Sequence, residues 1–214
     1  AMREWGYHVD DYGESTVSNI YYDTADYALI RRSLEKPVYK EKLRLRAYGA
    51  PGADSPAFVE IKKKFRGVVY KRRVELPYRE AEAAVARGEM PGRCGQIGRE
   101  IDWFLRFYQV SPRVMLAYDR EAYYSERFPD TRITFDRKIR CRDTALDLTR
   151  GAAGVLLLPG DTCLMEVKTA FALPKWLCGA LYRAGARQTS FSKYGEAYKN
   201  FLNPTGRTEA RFSA

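Results

Sequence analysis

The sequence predicts an α+β fold built on an antiparallel β-sheet. Three observations carry that reading. Extended segments alternate apolar and polar residues at period two, strand signals follow one another across short turns, and helical patterns fall between runs of strands with few βαβ signatures. The first strand signal lies at 17–22, rich in β-branched and aromatic residues. Asp23 and Thr24 then cap a helix over 27–34, where Leu29, Ile30 and Leu34 recur at helical spacing. Residues 42–48 form a strand closed by the turn signal Gly49-Ala50-Pro51-Gly52. Strands at 57–65 and 68–76 flank Arg66-Gly67, a hairpin signature.

An Ala/Glu-rich helix over 79–87 stops at Gly88. The next, over 97–108, lines Ile97, Ile101, Phe104, Leu105 and Tyr108 along one face, and Trp103, Phe104 and Phe107 are expected to face the core. Long strands follow at 113–124 and 131–142, then a shorter one at 164–169. Pro174 opens a helix to 181, where its missing N–H costs nothing, and Trp176 and Leu177 dock that helix on the sheet. A last helix spans 194–202. The chain therefore divides into an N-terminal segment, 1–16, one domain, 17–202, and a flexible tail, 203–214.

Of the 214 residues, 45% are apolar and 30% charged, so a packed core is affordable and wholesale disorder is excluded. Lys and Arg number 37 against 27 Asp and Glu, a net charge of +10. Such a surplus points to an anionic partner: nucleic acid, an anionic membrane or a phosphorylated small molecule. The one histidine, His8, excludes multi-histidine zinc sites and a His-backed serine or cysteine nucleophile in the body of the chain. Cys94, Cys141, Cys163 and Cys178 form no C-x-x-C pair and read as reduced thiols of a cytoplasmic protein. The longest apolar run, 154–158, falls far short of the roughly 20 residues a membrane span needs, so none is expected.

Strand parity is the informative signal. One face of 42–48 holds Lys42, Arg44 and Arg46, and the other Leu43, Leu45 and Ala47. The same division sets Glu60, Lys62 and Lys64 against Val59 and Ile61, and groups Lys71, Arg73 and Glu75. It groups Tyr118 with Arg120. It sets Arg132, Thr134, Asp136, Lys138 and Arg140 against Ile133, Phe135 and Ile139, and Glu166 and Lys168 against Met165 and Val167. Arginines repeated at i and i+2 on several strands repel one another unless anions lie between them. Patterning leaves two architectures open: a sheet with a solvated charged face, or a barrel with the charges inside. Guanidinium and ammonium groups at this density suit phosphate. Among the interspersed carboxylates Glu60, Glu75, Asp136 and Glu166, the last is the preferred ligand for a divalent cation.

Several segments together carry a family resemblance: SNIYYDT at 18–24, EKLRLRAYG at 41–49, FVEIK at 58–62, YKRR at 70–73, YDR at 118–120, RITFD at 132–136, MEVK at 165–168 and FSKY at 191–194. In order and spacing, over about 17–202, they resemble the VTC-type polyphosphate polymerase domain. That domain belongs to the triphosphate tunnel metalloenzymes, relatives of the CYTH phosphatases and cyclases. The resemblance implies an antiparallel eight-stranded tunnel with a basic interior, flanked by helices. Carried over by position, Arg44 and Arg46 match its R-x-R pair, Lys62 the lysine of the E-x-K strand, Lys71 that of the next, and Tyr118 and Arg120 the Y-x-R motif. Arg132 matches the following arginine, and Ser192 and Lys193 the S-K pair. Glu166 matches the glutamate that holds Mn²⁺ or Mg²⁺, with Lys168 beside it on the substrate. The family's opening strand, with its glutamate/lysine motif, is missing from 1–16, and a homo-oligomer could complete the tunnel.

The implied reaction moves the terminal phosphoryl of a nucleoside triphosphate onto a polyphosphate chain. Arg44, Arg46, Lys62, Lys71, Arg120, Arg132 and Lys193 align the phosphates, Tyr118, Ser192 and Lys168 bind substrate, and no protein nucleophile is needed. Two alternatives share the lining: a tunnel hydrolase acting on triphosphates, and a non-catalytic module for polyphosphate or nucleic acid with Tyr21, Tyr22, Tyr118, Tyr123 and Tyr124 as stacking platforms. No helix-turn-helix, zinc finger or aromatic RNP motif is present, so no specific nucleic-acid partner is expected.

Overall fold

The computed structural model describes residues 2–203; the expected tail beyond Asn203 lies outside them. The elements are β1 (His8–Asp23), α1 (Ala28–Leu34), β2 (Tyr39–Tyr48), β3 (Pro56–Phe65), β4 (Val68–Pro77), α2 (Tyr78–Arg87), α3 (Gly95–Tyr108), β5 (Ser111–Tyr124), β6 (Thr131–Arg142), β7 (Val155–Leu156), β8 (Cys163–Thr169), α4 (Lys175–Arg183) and α5 (Lys193–Ala197), which runs into a π turn at Tyr198–Leu202. The eight strands form one antiparallel sheet in the order β4-β3-β2-β1-β5-β6, with β7 and β8 sharing the far edge of β6.

β1 starts at His8 rather than at 17, so half of the segment assigned to 1–16 belongs to the sheet. Its register against β5 breaks between Val9, opposite Tyr123, and Glu14, opposite Glu121. The residues between bulge out, with Gly13 at a φ of 59° that a side chain would resist. A bulged, polar stretch shows no alternation, which is why patterning missed it.

A second bulge redirects β6. Lys138 has a φ of 47°, and the register against β5 shifts between Ala117 and Asp119. Parity therefore inverts there. Asp136 stays on the concave face opposite Arg120, whereas Arg140 pairs with Ala117 and reaches Asp119 at 3.0 Å and the Ala152 carbonyl at 2.7 Å. Ile139 joins Val17 and Tyr118 in a small apolar cluster. The expectation that Lys138 and Arg140 continue the Asp136 row fails at this bulge. β7 was not foreseen: it pairs with Arg140 and Cys141 because Gly154 lets the backbones approach, and a Cβ there would stand 2.5 Å from the Cys141 carbonyl oxygen.

The convex face is apolar. Leu43, Leu45, Val59 and Ile61 are fully buried against Ala81, Ala84 and Val85 of α2 and Ile101, Phe104 and Leu105 of α3. Each such aliphatic side chain contributes about 1.5–3 kcal/mol relative to exposure. α4 covers the other half, Leu177 packing with Tyr7 and Ile133, and Trp176 stacking on Trp5 at 5.5 Å. Trp103 and Phe107 do not face this core; they are 52% and 63% exposed and stack on each other outside α3. α5 packs at one end of the sheet with α1, its Tyr194 and Ala197 meeting Ile30, Val114 and Leu116. As expected, Asp23 and Thr24 secure α1: Asp23 accepts from the N–H groups of Leu29 and Ile30, and Thr24 from that of Ala28.

Candidate functional site

The concave face gathers cations around two buried carboxylates. On β3, Glu60 is 1% exposed. Arg44 of β2 donates to it at 2.6 Å, Lys71 of β4 pairs with its other oxygen at 2.6 Å, and Arg46 stands 3.9 Å away. Arg46 is itself buried, donating to Asn19 Oδ1 at 2.9 Å and to the Tyr118 hydroxyl at 3.2 Å. On β6, Asp136 is fully buried. Arg120 holds both its oxygens, at 2.6 and 2.8 Å, and Lys193 at the start of α5 reaches it at 2.6 Å. Lys193 also lies 4.5 Å from the Tyr118 ring centroid. The Arg46–Tyr118 bond and the shared Tyr118 ring join the two clusters across β1.

The far ends of the strand path also face each other. Lys62 on β3 lies within electrostatic reach of Glu166 and Lys168 on β8. Glu166 is half-exposed, and its ion pairs among the described residues are with Lys168 at 3.5 Å and Arg120 at 3.9 Å. Across the ladder from it, Thr134 buries a hydroxyl that has no partner among the described residues. Arg132 lies farther out, 58% exposed and tied to Asp10 of the β1 bulge at 3.1 Å. Ser192 caps α5, accepting from the Gly195 N–H at 3.2 Å. Thus Arg44, Arg46, Lys71, Tyr118, Arg120 and Lys193 form one connected network, Lys62, Glu166 and Lys168 line its open side, and Arg132 sits at the rim.

Sequence reading gives Asn19 and Lys42 no site role and offers Tyr21 only as a stacking platform. Tyr21 accepts from Arg44 at 3.1 Å and stacks on Tyr194 at 4.8 Å. Burial alone would raise its pKa, but Arg44, Arg46 and Lys42 bring it down to about 8. Parity did place Lys42 beside Arg44, and that was the available signal. Of the tyrosines considered as stacking platforms, Tyr22 and Tyr118 are buried packing residues.

Glu60 supplies a pH test. Burial pushes its pKa up, but Arg44, Arg46 and Lys71 outweigh that and hold it at about 2 against an ordinary 4.5. A carboxyl lowered on folding stabilises the fold above its unfolded value, and that stability is lost as pH falls toward the folded one. Between pH 4.5 and about 2 the protein should lose on the order of 2–3 kcal/mol through this group. Urea melts across that window should show a shallower loss in Glu60→Gln; an identical slope would refute the assignment.

Comparison with known proteins gives three results. The family model of the VTC domain matches residues 6–202. No curated protein matches the chain. Among solved structures, a candidate adenylate cyclase from Bacillus halodurans aligns with a TM-score of 0.53 at 14% identity, covering 89% of this chain and 84% of its own. Another from Vibrio parahaemolyticus gives 0.47 at 12%, covering 91% and 87%. A Pyrococcus horikoshii protein gives 0.44 at 14%, covering 90% and 87%. The Bacillus structure shares this chain's fold.

Proposed function

The chain belongs to the VTC-domain family, and from that premise we propose that its concave face binds a nucleoside triphosphate and a polyphosphate chain and transfers a phosphoryl group between them. The observation that carries this reading is the convergence of Arg44, Arg46, Lys71, Arg120 and Lys193 on one concavity, linked through Tyr118. Glu60 and Asp136 set the geometry. A phosphate entering the concavity meets side chains already aligned by these carboxylates, so little rotamer entropy remains to be lost. Arginine forks bind phosphate oxygens bidentately, and the lysines add compact charge. In-line transfer needs this alignment and charge neutralisation rather than a protein nucleophile.

The residues present fit a divalent cation at Glu166. Glu60 and Asp136, the buried carboxylates of the concave face, are each held by cations at 2.6 Å, whereas Glu166 is half-exposed with its nearest cation at 3.5 Å, beside the Thr134 hydroxyl that has no partner among the described residues. Among the described residues no group of three acidic, His or Cys ligands exists, so Mn²⁺ or Mg²⁺ would complete its shell from phosphate oxygens and water. Bound there, the ion would neutralise phosphate charge.

The test is incubation with ATP and Mn²⁺, with products separated by size. Acid-stable chains are expected, and Glu166→Ala should lower their rate at least ~10²-fold. Free phosphate alone would mean that water is the acceptor and the protein a tunnel hydrolase. Binding of polyphosphate without turnover would make it a binding module.

A further inference from the structure

Lys42 is a half-buried cation with no carboxylate at ion-pair distance among the described residues. Two residues along β2, Arg44 has Glu60; Lys42 has the Ser192 hydroxyl at 3.2 Å and the Tyr194 ring at 5.7 Å. The residue directly across the ladder on β3 is another ammonium, Lys62. Like charges facing each other in this way destabilise a sheet unless an anion lies between them.

The hydrogen-bond inventory of this corner says what would fit. Ser192 Oγ accepts from Lys42 Nζ and from the Gly195 N–H, which uses both of its lone pairs. Its own proton is left to donate. The ammonium has two further protons. The Lys42–Ser192 pair therefore offers three donor protons and no free acceptor, which suits an acceptor-only ligand. Gly195 makes the arrangement possible, since a Cβ there would stand 3.0 Å from Leu34 and 3.1 Å from the Ser192 Cβ.

We propose that Lys42 and Ser192 form a phosphate subsite, in which Lys42 binds one phosphoryl group of the substrate and also fixes Ser192 as a hydrogen-bond donor to it. This rests on the phosphate-binding reading above. The groups facing Lys42 are Tyr21 and Asp23 of β1, Lys40 and Arg44 of β2, Lys62 of β3 and Tyr194 of α5; Lys193 is turned toward Asp136. Burial, with Lys40 and Lys62 nearby, brings the Lys42 ammonium down to about 8, against the opposing pull of Tyr21 and Asp23. An arriving phosphate would restore the missing counter-charge.

Binding of metal-free inorganic tripolyphosphate, titrated from about pH 6.5 to 9.5 around the Lys42 value, tests this. The ligand's own ionisation is common to all variants. Wild type should lose affinity roughly ten- to hundredfold more steeply above pH 8 than Lys42→Arg, whose guanidinium stays charged. Lys42→Met should bind weakly at every pH, yet its ligand-free thermal midpoint should rise, because a cation without a carboxylate partner has been removed. Ser192→Ala should bind more weakly and keep the alkaline loss. Three outcomes would overturn the subsite: a Lys42→Arg profile superimposed on wild type, wild-type affinity in Lys42→Met, or an alkaline loss abolished by Tyr21→Phe. A wild type that binds no tripolyphosphate at any pH overturns the phosphate-binding reading itself.

Discussion

Asp136→Ala should destabilise the protein by about 3–5 kcal/mol, and tripolyphosphate should restore part of that loss. Asp136 is fully buried and holds Arg120 through two hydrogen bonds and Lys193 through a third contact. Burial raises its pKa, but Arg120 and Lys193 win and keep it below the ordinary carboxylate range. Removing the carboxylate leaves Lys193 without its ion pair and Arg120 with only the half-exposed Glu166 at 3.9 Å, which costs far more than the pair's net worth. A bound anion can take the vacated place. Urea melts with and without tripolyphosphate measure both effects. A variant as stable as wild type would refute the charge argument. Destabilisation without rescue would mean that the Arg120–Lys193 cluster only holds the fold together.

Arg46→Ala should cut turnover by about 10²–10³-fold, the scale of losing one well-placed charge-stabilising donor. From sequence alone this substitution reads as harmless to the fold; the structure alters that. Arg46 is buried, and its loss orphans Asn19 Oδ1 and the Tyr118 hydroxyl, at a cost of about 1–3 kcal/mol each when no water replaces it. It also severs the link between the Glu60 and Asp136 clusters. Arg46→Lys keeps the charge but cannot bridge Asn19 and Tyr118 together, so it should recover only part of the rate. Rates of chain formation, measured beside melts at the same temperature, separate the two contributions. Full activity in Arg46→Ala would remove it from the site.

The β2–β3 hairpin shows how far sequence reading reaches. Alternation is a local steric property of extended chain, so it puts Lys42, Arg44 and Arg46 on one face whatever strand pairs with them. The pairing of Arg44 with Glu60 across the ladder follows once register is known. β6 shows where such reading fails. A bulge is a local departure from period two, and nothing in RITFDRKIRCR marks Lys138 as the residue where the row turns over. β1 fails for the same reason: Asp10 to Gly13 bulge away from β5, and the polar run preceding Val17 hides a strand that carries Asp10 to Arg132.

Composition, alternation and the ordered basic segments determined by themselves that this chain forms an antiparallel sheet with one apolar and one cationic face, and which motifs lie on the latter. Those properties depend on neighbours one or two residues away. Only the tertiary structure decided that Glu60 and Asp136 are committed to cations while Glu166 stays accessible, and that Lys42 meets a serine 150 residues later instead of a carboxylate. Charge compensation is set by distances across a curved sheet and by where α5 docks on its concave side, and no local pattern encodes either.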